Sequence, residues 1–167
     1  MEKSKRIESG SRLLTKYRCW LIISGLLLSF VAGAQKEGKQ MIVKNKSSFN
    51  FEETVCRIET VLKAKEIPVF AVFDHSRNAE EVGLKLNPNQ VIVFGSPKVG
   101  TFLMQENPAI SIELPLKISV WEDDGAEVWV GFPDMRQIAA AYALEESPIL
   151  KNMALLLEKI VNESIRK

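Results

Sequence analysis

The chain predicts an α+β fold, a two-layer sandwich in which a mixed or largely antiparallel sheet of about four to five strands packs against helices. Three observations carry that expectation. Strand-like and helix-like stretches follow one another without the strict alternation of a βαβ protein. Residues 116–132 alternate apolar and polar side chains on either side of an Asp-Asp-Gly turn, and two stretches, 51–62 and 149–160, place their apolar residues on helical stripes. A length of 167 residues holds one domain with a core of its own. Lysine and arginine number 22 against 21 acidic residues, so there is no cationic excess to meet a nucleic-acid backbone.

The chain begins with a basic stretch, Lys3, Lys5, Arg6, Arg12, Lys16 and Arg18 against Glu2 and Glu8, followed by 17 uncharged residues at 19–35. This is the charge and hydropathy pattern of a secretory leader, and Ala32, Gly33 and Ala34 provide the small residues that signal peptidase needs. Residues 1–34 are therefore expected to be a signal peptide cleaved after Ala34. The alternative is an N-terminal membrane anchor, because 17 residues lie at the lower edge of a membrane span. In either case the remainder is exported, to the periplasm or the cell exterior. Cleavage removes six basic and two acidic groups and leaves 16 against 19 over 133 residues. It also removes Cys19, so Cys56 has no internal disulfide partner.

Residues 35–40 read as a short tether and 41–167 as a single α+β domain. A first strand is expected at 41–44. Asn50, with Glu53 three residues on, is a capping box that opens a helix to about residue 65, with Phe51, Val55, Ile58 and Leu62 on one stripe and Cys56 turned to solvent. Residues 69–73 are apolar on both faces and predict a strand covered on both sides. Ser76 and Gly83 are the expected cap and stop of a short helix. Residues 91–94 form a second apolar strand that runs into a glycine-bounded loop, Gly95 to Gly100, after which Thr101 caps another short helix. The hairpin 116–132, with a three-residue loop of Asp123, Asp124 and Gly125, would pair Val120 with Val128 and Ile118 with Val130. Asp134 caps a helix to about residue 144. Ser147 and Pro148 open the last one, with Ile149, Met153, Leu156, Leu157 and Ile160 on its buried stripe.

Several motifs stand together here: Phe73-Asp74-His75 with Ala79 and Gly83, then Val93-Phe94-Gly95-Ser96-Pro97 with Gly100-Thr101 and Leu103-Met104. They are followed by Leu114-Pro115-Leu116-Lys117 and Trp121-Glu122-Asp123 with Gly125, and preceded by Glu53-Thr54. On these residues the chain, over about 41–142, resembles the uncharacterised bacterial and archaeal family catalogued as domain of unknown function 302. The resemblance implies an α+β fold that pairs as a dimer, with no assigned reaction. Ser96 stands where that family usually has asparagine, and a hydroxyl holds a loop or ligand less completely than an amide.

His75 is the single histidine, so proton transfer near neutral pH by an unperturbed side chain falls to it, with Asp74 or Glu80 to orient it. A hydrolase would pair His75 with Ser96 or Thr101 as nucleophile. The competing reading is a strand-end histidine bonded to a backbone carbonyl. The segment Gly95, Ser96, Lys98, Gly100 and Thr101 suits a small anion, because amides at a helix start and the Lys98 ammonium attract negative charge. It is not a nucleotide loop, since Thr101 and Phe102 stand where the phosphate-binding pattern needs lysine and a hydroxyl residue. No metal site is expected, because one histidine and one cysteine lie on different elements and Asp123 and Asp124 are turn formers. No cofactor is expected either. Trp121 and Trp129 share an otherwise polar sheet face, to be covered by the terminal helices or by a second copy in a homodimer. Cys56 is either a reactive thiol that forms a mixed or intermolecular disulfide or an inert surface residue. These features point to an exported, non-catalytic binding or interaction module, homodimeric, with a small anionic ligand or an envelope protein as partner. The alternative is a small-molecule enzyme that uses His75 with the 95–101 loop.

Overall fold

The computed structural model describes residues 41–167, so the leader, the tether and Cys19 lie outside the described residues. The domain runs β1 (Ile42–Lys46), α1 (Phe51–Ala64), β2 (Val69–Asp74), α2 (His75–Glu81), β3 (Asn89–Phe94), α3 (Pro97–Glu106), a 3₁₀ turn (Pro108–Glu113), β4 (Leu116–Glu122), β5 (Val128–Pro133), α4 (Met135–Ala141) and α5 (Pro148–Ile165). The strands form one sheet in the order β1-β5-β4-β3-β2. Every neighbouring pair is antiparallel. The fold is α+β, as the lack of βαβ alternation predicts.

Each helix start has a local chemical reason. Asn50 accepts the Glu53 amide at 2.8 Å and caps α1. Asp134 does the same for α4 through the Arg136 amide. The cap of α2 is Asp74, not Ser76: its Oδ1 accepts from the Arg77 amide and from the Ser76 hydroxyl, so the helix starts two residues earlier, at His75. Gly83, at φ +76, ends that segment in the left-handed conformation that costs glycine least. Ser147 occupies the cap position of α5 but its side chain makes no capping bond, and Pro148 alone sets the first turn.

The core lies between one sheet face and helices α1 and α5. Ile92, Phe94, Leu116, Ile118, Val120, Val128, Val130 and Phe132 point toward the helices, where they meet Phe51, Ile58 and Leu62 of α1 and Leu150, Met153, Leu157 and Ile160 of α5. Val161 and Ile165 extend the α5 stripe, whereas Ile149 and Leu156 lie at its margin.

The hairpin register differs from the expected one by two residues. Val120 pairs with Val130, Trp121 with Trp129, and Glu122 with Val128. The loop keeps its three residues but slides to 124–126, closed by the Asp123 amide on the Glu127 carbonyl, and Ala126 rather than Gly125 takes the left-handed position at φ +58. Asp123 drives the shift, since its Oδ1 accepts from the Gly125 and Glu127 amides and its Oδ2 from the Trp129 indole at 2.7 Å. Because side chains alternate with a period of two, a two-residue slide leaves every valine on the face where it was expected.

Strand β2 departs further. It is an edge strand, and Val69, Phe70, Val72 and Phe73 are 40–50% exposed rather than covered on both sides. A run of apolar residues also fits an uncovered edge, and alternation alone does not separate the two cases.

Two substitutions test this architecture by urea unfolding. Ile118→Ala, at a fully buried position, is expected to cost about 3 kcal/mol. Ala126→Gly is expected to raise stability by about 0.5 kcal/mol, by relieving the left-handed strain at that position.

Candidate functional site

The segment from Gly95 to Gly100 is not an open loop. Ser96 is the N-cap of α3, Pro97 is its first residue, and Gly100 lies inside the helix with its amide on the Ser96 carbonyl. Thr101 is therefore no cap; its hydroxyl donates to the Pro97 carbonyl at 2.8 Å. This arrangement uses up much of what an anion would need. Proline has no N–H, the Ser96 hydroxyl accepts from the Val99 amide at 3.5 Å, and only the Lys98 amide is left without a partner from the helix. The Lys98 side chain is exposed.

His75 does not join this segment. Asp74 lies opposite Gln90 at the start of β3, and Gly95 follows the other end of that strand, next to the start of β2. Five residues of strand separate the two places by roughly 17 Å. His75, Ser96 and Thr101 thus share no site, and the distance separates the residues that a hydrolase would unite. His75 is exposed, and the turn that follows it is held by its neighbours Asp74 and Ser76. The Asn89 amide donates to the Ser76 hydroxyl, which donates to Asp74 Oδ1. The Arg77 amide and the Ser76 hydroxyl hold the Asp74 carboxyl below the ordinary carboxylate value.

Three of the expected residues do come together. Gly95, Ser96 and Gly100 line a pocket of about 300 Å³ with Phe70, Phe94, Met104, Leu114, Leu116 and the α5 residues Met153 and Leu156. Its floor is the core itself, since Phe94 and Leu116 are buried sheet residues. Its only polar side chains are Ser96 and Ser111, both exposed, and no acid, base or thiol lines it. Sequence reasoning found the glycine segment but missed Met104, one turn beyond Gly100 on α3, and also Leu114, Met153 and Leu156, which come from two other parts of the chain. No local pattern links them.

Trp121 and Trp129 lie on the sheet face opposite the core, half-buried, as a directly opposed cross-strand pair. Their cover comes from the sheet. Lys44 Nζ lies 3.7 Å from the Trp129 ring centre and 5.3 Å from that of Trp121, and the Trp121 ring fills the space above Gly131, where a Cβ would meet it at 2.9 Å. Cys56 is exposed on α1, as its helical position predicts. It borders a shallow hollow that also includes Glu52, Glu59 and Asp74. Among the described residues no cluster of three or more histidine, cysteine or acidic side chains forms a metal site.

The family model for a domain of unknown function, DUF302, matches residues 43–163, which is nearly the whole described domain. The chain belongs to the DUF302 family. The DUF302 fold is also that of an uncharacterised conserved DUF302 protein from Bacillus stearothermophilus, whose crystal structure is similar with a TM-score of 0.67 at 22% identity, covering 75% of this chain and 98% of that one. Proteins named fluoride-specific ion channel FluC 1 from Brucella suis and Brucella abortus are 35% identical over 103 residues, or 62% of this chain and 41% and 38% of theirs. The chain thus spans about two-fifths of the length of these curated relatives. Among the described residues of this DUF302 chain, no helix is long and apolar enough to cross a membrane.

The capping carboxylates give the DUF302 domain a pH dependence of known sign. Asp74 is held low by its bonds. Asp134 is also low, because its bonds from Gln137 and Arg136 outweigh the opposing effect of its partial burial. A depressed folded-state value adds stability above the ordinary carboxylate value of 3.8, and that stability is lost as the pH falls through the folded value. Urea unfolding of Asp74→Asn and Asp134→Asn should therefore show each variant less stable than wild type at pH 6, with the difference closing below pH 3.8.

Proposed function

We propose that the mature chain is an exported, non-catalytic binding and interaction module that acts as a homodimer joined through β2. The observation that carries this reading is the apolar edge of the sheet, which stays uncovered although Pro68 precedes it and a register shift between Val69 and Ala71 interrupts its pairing with β3. Edge strands are ordinarily blunted by lysine, proline, bulges or a covering element. Here the strand exposes Val69, Phe70, Val72 and Phe73 along one unpaired backbone edge, with Asp74 at its end as its single charged residue. Antiparallel pairing of β2 with its own copy around a two-fold axis satisfies those backbone groups, covers the four side chains and closes the assembly at two. The two half-exposed phenylalanines alone offer on the order of 200 Å² per copy, a substantial share of the roughly 800 Å² per partner of a stable interface. Trp121 and Trp129 make a weaker interface, because Lys44 and Asp123 already engage them.

Binding rather than catalysis is supported by a pocket lined without acid, base or thiol. Export is supported by the basic and apolar pattern of the leader and by the small residues before Gln35. The named relatives are ion channels, which supports a DUF302 module working beside a membrane. Their channel activity concerns those longer proteins.

Sedimentation analysis tests the pairing. Wild type and Trp121→Ala should sediment as dimers, and Val72→Lys as a folded monomer, with dissociation strengthened at least 100-fold. A monomeric wild type, or a Val72→Lys protein that still dimerises, overturns it. Mass measurement of the exported protein should find Gln35 at its N-terminus; retained Met1 identifies an anchor instead.

A further inference from the structure

We infer that the pocket under the start of α3 binds an unbranched aliphatic chain, the tail of a fatty alcohol or acyl group. The inference deepens the binding-module reading and rests on a different observation from the homodimer, although Phe70 belongs to both surfaces. The cleft of about 300 Å³ is half open and no larger than other hollows of the described surface, but those are bordered by charged side chains and this one by none.

The walls define the chemistry. Phe94, Leu116 and Met153 form a floor no more than 6% exposed, and Met104, Leu114 and Leu156 form the sides. No charged group reaches the interior, and no set of donors or acceptors is present to orient a polar ring. A methylene chain needs none. The two methionines suit a flexible ligand, since an unbranched thioether adjusts its shape at little cost. The hydroxyls of Ser96 and Ser111 sit with the exposed residues of the mouth, where the polar end of such a molecule would emerge. A carboxylate head gains little there, because the α3 start has a single free amide.

Two glycines keep the space open. A Cβ at Gly100 would come within 3.6 Å of Leu114 Cδ1, and one at Gly95 within 3.6 Å of the Phe70 ring; both neighbours line the pocket. Those are ordinary contact distances, so a larger side chain at 100 is tolerated by the fold but occupies the ligand space. Gly100 is inside a helix, where glycine is the poorest choice after proline, and its presence in the pocket wall has a cost that leucine would remove.

The test uses the exported protein in detergent-free buffer, with tritium-labelled decan-1-ol as probe and unlabelled decan-1-ol and butan-1-ol as competitors. One probe should bind per chain, and decan-1-ol should displace it at concentrations at least tenfold lower than butan-1-ol. Gly100→Leu should weaken probe binding at least tenfold while its melting temperature is unchanged or raised. Met104→Trp provides a second filled pocket if the first variant does not fold. The proposal is overturned if a folded filled variant binds the probe like wild type, or if neither wild type nor Val72→Lys binds it. Binding by Val72→Lys but not by wild type also overturns it, because the occupant is then the second copy. Equal binding by both, with wild type monomeric, leaves the aliphatic site standing and removes only the homodimer.

Discussion

A sheet that carries its helices on one side depends on one constraint, that alternate residues of every strand stay dry together. Ile92, Ile118, Val120 and Val130 are fully buried and sit on three adjacent strands. Their removal from water against Ile58, Leu62, Leu157 and Ile160 is the main favourable contribution to the fold, on the order of 2 kcal/mol for each large side chain. Everything else in the domain is placed by reference to that layer. The pocket opens where Phe94 and Leu116 reach the end of it, and the tryptophan pair lies on its reverse side.

The same constraint explains how much of the architecture could be read from the residues. A helix announces itself within a few positions, so Asn50, Asp134 and Pro148 locate three helix starts closely. The hairpin faces were legible because alternation fixes them whatever the register. The register itself was not, because it follows from the three hydrogen bonds to Asp123, whose geometry spacing does not encode. For the same reason Asp74 rather than Ser76 caps α2: both residue types are good caps, and the choice lies in a two-step bond from Asn89 through Ser76.

The candidate site was legible in one segment and hidden elsewhere. Glycines around Ser96 and Pro97 mark a special backbone, but the segment turns out to be the opening turn of a helix and the wall of an apolar space. His75 drew attention as the single histidine, yet residue type says nothing about which end of a strand faces which partner. Pairing of β2 with β3 places it away from Gly95. The apolar run 69–73 misled in a similar way, since hydrophobicity records that a surface avoids water and not whether the same chain covers it.

The close seat of Trp121 on Gly131 has a spectroscopic meaning. The Trp121 ring lies 2.9 Å from where a Cβ on residue 131 would stand, so only glycine leaves room for it there, and Lys44 holds a positive charge over both rings of the pair. Trp20, the third indole of the chain, lies outside the described residues, so the tryptophan emission of the described domain comes from these two rings. Their colour and intensity therefore provide a built-in optical gauge of the outer sheet surface, one that needs no attached label.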